Sequence, residues 1–158
     1  MVDSLLAELT SGLPDIKQSV SLLTRLVIAM LCGALIGAQR EAIGKPAGLR
    51  THMLVAMGAA LFVLAPLHIG MELEGISRVI QGIITGIGFL GAGAILKLQE
   101  KRVIEGLTTA AGIWMTAAVG IAAGLGRLGL ALVSTILAWI TLSLIGRIEN
   151  RMNEKPQA

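Results

Sequence analysis

The chain has 158 residues, 54% of them hydrophobic and 15% charged, with a mean hydropathy of +0.81, which places it in the membrane class and excludes an ordinary soluble domain. A formal charge of +3 and an aromatic content of 3%, with no Tyr, exclude a nucleic-acid surface built on basic stripes and base stacking. The single cysteine, Cys32, has no intramolecular partner, so there is no disulfide framework and Cys32 is expected to pack as a small hydrophobe.

The N-terminal segment, residues 1–19, carries Asp3, Glu8 and Asp15 without an early basic cluster or an A-x-A site, so it does not read as a cleaved signal peptide. Leu5, Leu6, Leu9 and Leu13 recur at helical spacing and predict a short interfacial helix stopped by Gly12 and Pro14. Beyond it, hydropathy gives five spans at about 20–38, 51–70, 76–97, 107–125 and 127–146, each long enough for a hydrocarbon core of about 30 Å. The expectation is an all-α, polytopic bundle of five transmembrane helices over residues 20–146, with a short tail at 147–158.

In span one, Ala29, Gly33 and Gly37 recur every four residues. The polar stretch that follows, GAQREAIGKPAGLRTH, holds Arg40, Glu41 and a turn marked by Lys45, Pro46 and Gly48, after which Arg50, Thr51 and His52 begin span two. A helix start presents free N–H groups and the positive end of its dipole, and Lys45 and Arg50 add full charges, so an anion could sit there. The bland alternative is that the threonines cap helices and the cations obey the positive-inside rule. His52 is a candidate for titration or ligand binding, although a lone histidine at a helix start ordinarily bonds locally.

Span two ends in HIGMELE, where His68, Glu72 and Glu74 could offer nitrogen and oxygen to a divalent cation. Such groups occur on many loops, and no metal is assigned. Span three concentrates glycine at Gly82, Gly86, Gly88, Gly91 and Gly93. Glycine is a poor helix former in water, but in a bilayer the backbone must bond to itself, and glycine then lets another helix approach closely. Span four adds a row at Gly112, Thr116, Gly120 and Gly124, and its start carries Thr108 and Thr109 near Lys101 and Arg102. Two helix starts could therefore converge on one basic vestibule. After span five, GRIENRMNEKPQA continues a helical pattern for about two turns and ends in Pro156, and no cytoplasmic domain is expected there.

Five spans place Arg40, Lys45, Arg50, Lys97, Lys101, Arg102, Arg147, Arg151 and Lys155 on one side, against Lys17, Arg25, Arg78 and Arg127 on the other. The first side is expected to be cytoplasmic, with the N-terminus outside. GLRTHMLVAMGAAL (48–61) also aligns without a gap on GLTTAAGIWMTAAV (106–119) with six identities, and Arg25 precedes Gly33 by the spacing that separates Arg78 from Gly86. The pattern suggests a parallel repeat of two spans, with the fifth unrepeated. Arg25 and Arg78 either snorkel to the headgroups or mark a polar path with Gln81 or Thr85.

No serine–histidine–acid set or zinc-ligand spacing is present, so no enzyme and no cofactor are expected. No span holds a buried acidic residue, which argues against a proton-coupled or cation-coupled transporter.

Three segments, KPAGLRTHMLVAMGAALF, GIGFLGAGAIL and GLTTAAGIWMTAAVGIAAGLG, resemble in order and spacing the hallmark motifs of the MgtC/SapB family of bacterial inner-membrane proteins. The resemblance covers residues 20–146 and implies a role in growth at low magnesium and in survival inside macrophages, without magnesium transport. It also implies F-type ATP synthase as a partner. Carried over by position, it singles out Arg40, Glu41, Gly48, Arg50, Thr51 and His52, then Gly86, Gly88, Gly91 and Gly93, then Gly106, Thr108 and Thr109. The family commonly has G-L-E-R where this chain reads Gly37-Ala38-Gln39-Arg40, and longer members carry a soluble C-terminal domain. The expected function is regulation or interaction in magnesium and envelope homeostasis, through self-association or contact with a partner's membrane helices. The alternative is a small-solute or ion permease with a vestibule of Lys45, Arg50, Thr51, Thr108 and Thr109.

Overall fold

The computed structural model describes residues 1–2, 15–98 and 103–145, so the expected interfacial helix and the tail lie outside the described residues. Asp15 starts the first helix, its carboxylate accepting the Ile16 N–H at 2.8 Å. The elements are α1 (Ile16–Ala42), α2 (Leu49–His68), α3 (Leu73–Gly93), β1 (Leu96–Leu98), β2 (Val103–Glu105), α4 (Leu107–Gly124) and α5 (Leu128–Ile140). A π-helical turn, Thr141–Ile145, continues α5. This is the five-helix, all-α bundle expected, and α1 to α4 are each long and apolar enough to cross a membrane.

Three boundaries differ from expectation. The first helix runs to Ala42, through Gln39, Arg40 and Glu41, because Arg40 turns inward against another helix rather than marking the edge of a span. The third stops at Gly93 rather than near 97, where the chain enters a two-stranded antiparallel ribbon with Leu96 opposite Glu105 and Leu98 opposite Val103. The fifth is α-helical for 13 residues, and its apolar stretch reaches Leu144 only through the π turn.

The core is made of small residues. Ala29, Cys32, Gly33, Ile36, Gly37 and Arg40 line one face of α1, each three or four residues from another of the set, and His52, Ala56, Ala59, Ala60 and Val63 do the same on α2. Both faces meet α4, the most enclosed helix, whose buried residues include Thr109, Gly112, Thr116, Gly120 and Gly124. A Cβ at Gly33 would collide with the His52 carbonyl, one at Gly37 would lie 2.8 Å from Leu49 Cα, and one at Gly124 would lie 2.8 Å from the Ala60 carbonyl. In lipid, where burial of apolar surface adds little, such backbone approach is what holds helices together. Thr116 and Thr135 are buried but donate to carbonyls one turn back, at 2.8 and 2.7 Å, so each hydroxyl is satisfied within its own helix.

Arg25 takes a third course between the two expected for it. Its guanidinium donates to the Gly124 carbonyl at 3.1 Å and lies against Gly126, at the C-terminal end of α4. There it meets free carbonyls and the negative end of the dipole. Arg78 instead pairs with Glu74 one turn earlier on α3, both well exposed, so the two arginines occupy unlike environments.

The glycines of α3 do not receive the close helix approach expected of them. Gly82, Gly86, Gly88 and Gly93 have open space where a side chain would stand, and a Cβ at Gly91 would make only an ordinary contact, 3.6 Å from Ala110 Cβ. Between α2 and α3 runs an apolar groove of about 590 Å³, floored by Gly58, Gly82 and Gly86 and walled by Leu54, Phe62 and Leu90.

Candidate functional site

Two features stand out: a buried polar cluster at one end of the bundle, and a polar stripe along the outer side of α3.

The cluster forms where α1 ends and α2 and α4 begin. Arg40 is 3% exposed and donates through Nη2 to the hydroxyl of Thr109, itself buried. His52 is fully buried, and its Nδ1 lies 3.0 Å from the Gly48 carbonyl. A carbonyl can only accept, so Nδ1 carries the proton. Nε2 then faces Gly112, where a Cβ would lie 3.5 Å from it. Arg40 Nε and His52 Nε2 are both buried without a hydrogen-bond partner among the described residues. Glu41 serves a neighbouring need: its carboxylate accepts the Leu49 N–H at 2.8 Å and caps the start of α2.

Of the residues singled out in the sequence, Arg40, His52 and Thr109 converge, and Glu41 stands beside them. Lys45, Arg50, Thr51 and Thr108 are exposed. Adjacent helical positions are turned by about 100°, so Thr109 and His52 face inward only because Thr108 and Thr51 do not. Gln39 has a role that sequence reading did not foresee. Its amide donates to the Leu142 carbonyl at 3.1 Å, tying α1 to the π turn, where a widened helix frees backbone acceptors. At the opposite end, His68 and Glu72 are exposed and Glu74 is engaged by Arg78, and no group of acidic, histidine or cysteine side chains among the described residues is placed to hold a metal.

The second feature is on α3. Glu74, Arg78, Gln81, Thr85, Gly88 and Ala92 follow one another by steps of four and three, and all are exposed. This is the spacing of a coiled-coil seam, and it runs opposite the buried Ile76, Ile87 and Gly91. Gln81 stands two residues from the helix midpoint, its amide 3.4 Å from Ser77 Oγ, while the Thr85 hydroxyl donates to the Gln81 carbonyl at 2.9 Å.

A model of the MgtC family matches residues 26–151. The chain belongs to the MgtC family. Among its relatives, it is 45% identical to Protein SrpB of Synechococcus elongatus over 79% of this chain and 75% of that protein. It is 43% identical to Protein MgtC of Salmonella typhimurium over 83% of this chain, and 40% identical to a protein of Escherichia coli K12 named Putative magnesium transporter YhiD over the same share. The MgtC-family chain thus spans 55% of the length of Salmonella MgtC and 63% of YhiD. No solved structure matches it. Membership accounts for the apolar helices: this MgtC-family chain is a membrane protein.

Proposed function

We propose that this chain is an inner-membrane regulatory protein of magnesium and envelope homeostasis that acts by helix contact, and that the outer side of α3 is where it makes that contact. The observation that carries the reading is the stripe of Gln81, Thr85, Gly88 and Ala92. An amide facing hydrocarbon near mid-depth is costly unless it finds a partner, and small residues beside it allow close approach. The occupant that fits is the same stripe on a second copy. A primary amide both donates and accepts, so Gln81 can pair with Gln81 across a two-fold axis, and the steps of three and four suit two parallel helices. Family membership and the names of the Salmonella and E. coli relatives support the link to magnesium. The N-terminus faces outward and the end bearing Lys45 and Arg50 faces the cytoplasm, by the positive-inside rule. Survival inside macrophages and restraint of the F-type ATP synthase are the downstream roles that the family resemblance implies for such a regulator.

Oxidative crosslinking in native membranes tests it. Gln81→Cys and Gly88→Cys are expected to give disulfide-linked dimers, and Leu54→Cys, on the groove side of α2, is not. Gln81→Leu should weaken dimerisation by about fivefold to thirtyfold, since interhelical polar contacts in membranes are worth about 1–2 kcal/mol. It should also impair growth at low magnesium. Crosslinks at Gln81 to another membrane protein alone would replace the second copy with that partner. The absence of any crosslink at the stripe would sink the contact reading.

A second reading, a small-solute or ion permease, has two supports: two or more copies joined along α3 would enclose Gln81, Thr85 and Ser77 in a polar seam, and the E. coli relative is named a putative magnesium transporter.

A further inference from the structure

We infer that a phosphate-type oxyanion, supplied free or as a phospholipid headgroup, binds at the end of the bundle where α1 closes and α2 and α4 begin, with Arg40 as its cation. The inference stands apart from the contact function and does not depend on it.

The guanidinium of Arg40 is permanently charged, yet the residue is buried, and the partner of its Nη2 is the neutral hydroxyl of Thr109. A hydroxyl can take a hydrogen bond but cannot balance a charge, and an isolated buried cation is strongly disfavoured. The surroundings deepen the imbalance. Thr109 is the third residue of α4 and His52 the fourth of α2, so two helix starts, with free N–H groups and positive dipole ends, face the same region. Glu41, the nearest carboxylate in sequence, is turned to the Leu49 N–H. Among the described residues the ion pair is that of Glu74 with Arg78, at the far end of α2 and α3.

The orphaned atoms say what kind of anion fits. Among the described residues Arg40 Nε–H is buried and unpartnered, and the guanidinium edge that includes Nε is a planar fork matched to two oxygens of one oxyanion. His52 Nε2, also buried and unpartnered, offers a lone pair to the hydroxyl of a protonated phosphate or, when the ring is protonated, a second N–H to a phosphodiester. All three side chains lie within about a turn of the helix ends, the depth at which phospholipid headgroups sit.

The test is thermal unfolding of the purified full chain in an uncharged detergent. Inorganic phosphate is titrated at constant ionic strength, and phosphatidylglycerol is titrated separately against phosphatidylcholine. The expected result is a saturable rise of a few degrees in Tm with phosphate, with phosphatidylglycerol, or with both; the pattern identifies the source. Arg40→Gln should fold and lose the response. Thr109→Val, which keeps the charge but removes its hydroxyl partner, should need about tenfold more ligand for half the shift, and it carries the comparison if Arg40→Gln does not fold. A flat response of the natural chain to both ligands overturns the inference, as does a response unchanged in both variants. So does a stabilising coupling between Arg40 and Glu100 or Glu149 in a double-mutant cycle, because the chain itself would then supply the counter-charge.

Discussion

Replacing Gly120 with alanine is expected to cost more than any other single methyl group added to the described helices except at Gly106. The new Cβ would fall on the Ala56 carbonyl and within 2.9 Å of the Ala59 Cβ, so α2 and α4 could accommodate it only by separating. The atom in the way is backbone and has no rotamer to change. Overpacking of a well-packed core costs about 1–3 kcal/mol even where side chains can shift, and here the whole helix contact must move, so a loss of at least about 3 kcal/mol is expected. Because α4 also packs on α1 and α5, the damage should spread through the bundle as a lower melting temperature in detergent and poor recovery of folded protein. Gly86→Ala is the control. It adds the same methyl on α3 into open space, and its melting temperature should stay within a degree or two of the natural chain.

Gly106→Ala is the second large effect, and it combines two penalties. Gly106 has φ +94°, which glycine adopts freely and alanine does not, and the added Cβ would strike the Ala94 carbonyl where the ribbon returns to α4. Strain of the first kind costs about 1–3 kcal/mol, and the collision adds to it. The ribbon and the first turn of α4 should loosen first. Amide exchange should therefore rise at Thr108, Thr109 and Ala110 before it rises at Val119 or Gly120.

These two positions show what can be read from the chain alone and what cannot. The number of helices, their order and most of their lengths follow from long apolar runs separated by charge, because the bilayer sets a minimum length. Rows of small residues also show where helices are able to come close. They do not show which rows find a partner: Gly120 and Gly124 meet α2 at backbone distance, while Gly82 and Gly86, spaced identically, face open space. That difference depends on which side of α3 turns inward, and α3 carries apolar or small residues on several sides at once. Arg40 was legible as a basic residue at the end of a span, but its burial was not, since a charge next to Gln39 and Glu41 reads as the start of a loop. Its pairing with Thr109 joins residues 69 apart, a distance that no local pattern spans. The ribbon after Gly93 was hidden for a related reason: Ala94, Ile95 and Leu96 continue the hydropathy of the helix before them.

The bundle interior bears on function as well. The buried polar residues of α4 and α5 at depth, Thr116 and Thr135, spend their hydroxyls on their own helices, and Gln81 and Thr85 face outward. Among the described residues, one copy therefore offers magnesium no row of oxygen ligands through its middle, whereas the outer side of α3 offers a partner helix a polar seam. Flux of magnesium into liposomes holding purified protein, shown to be folded and inserted, tests this most directly. Uptake equal to that of empty liposomes is the result expected of a protein that works by contact. Magnesium uptake above that level, lost in Gln81→Leu, would contradict it and turn the α3 seam into a path.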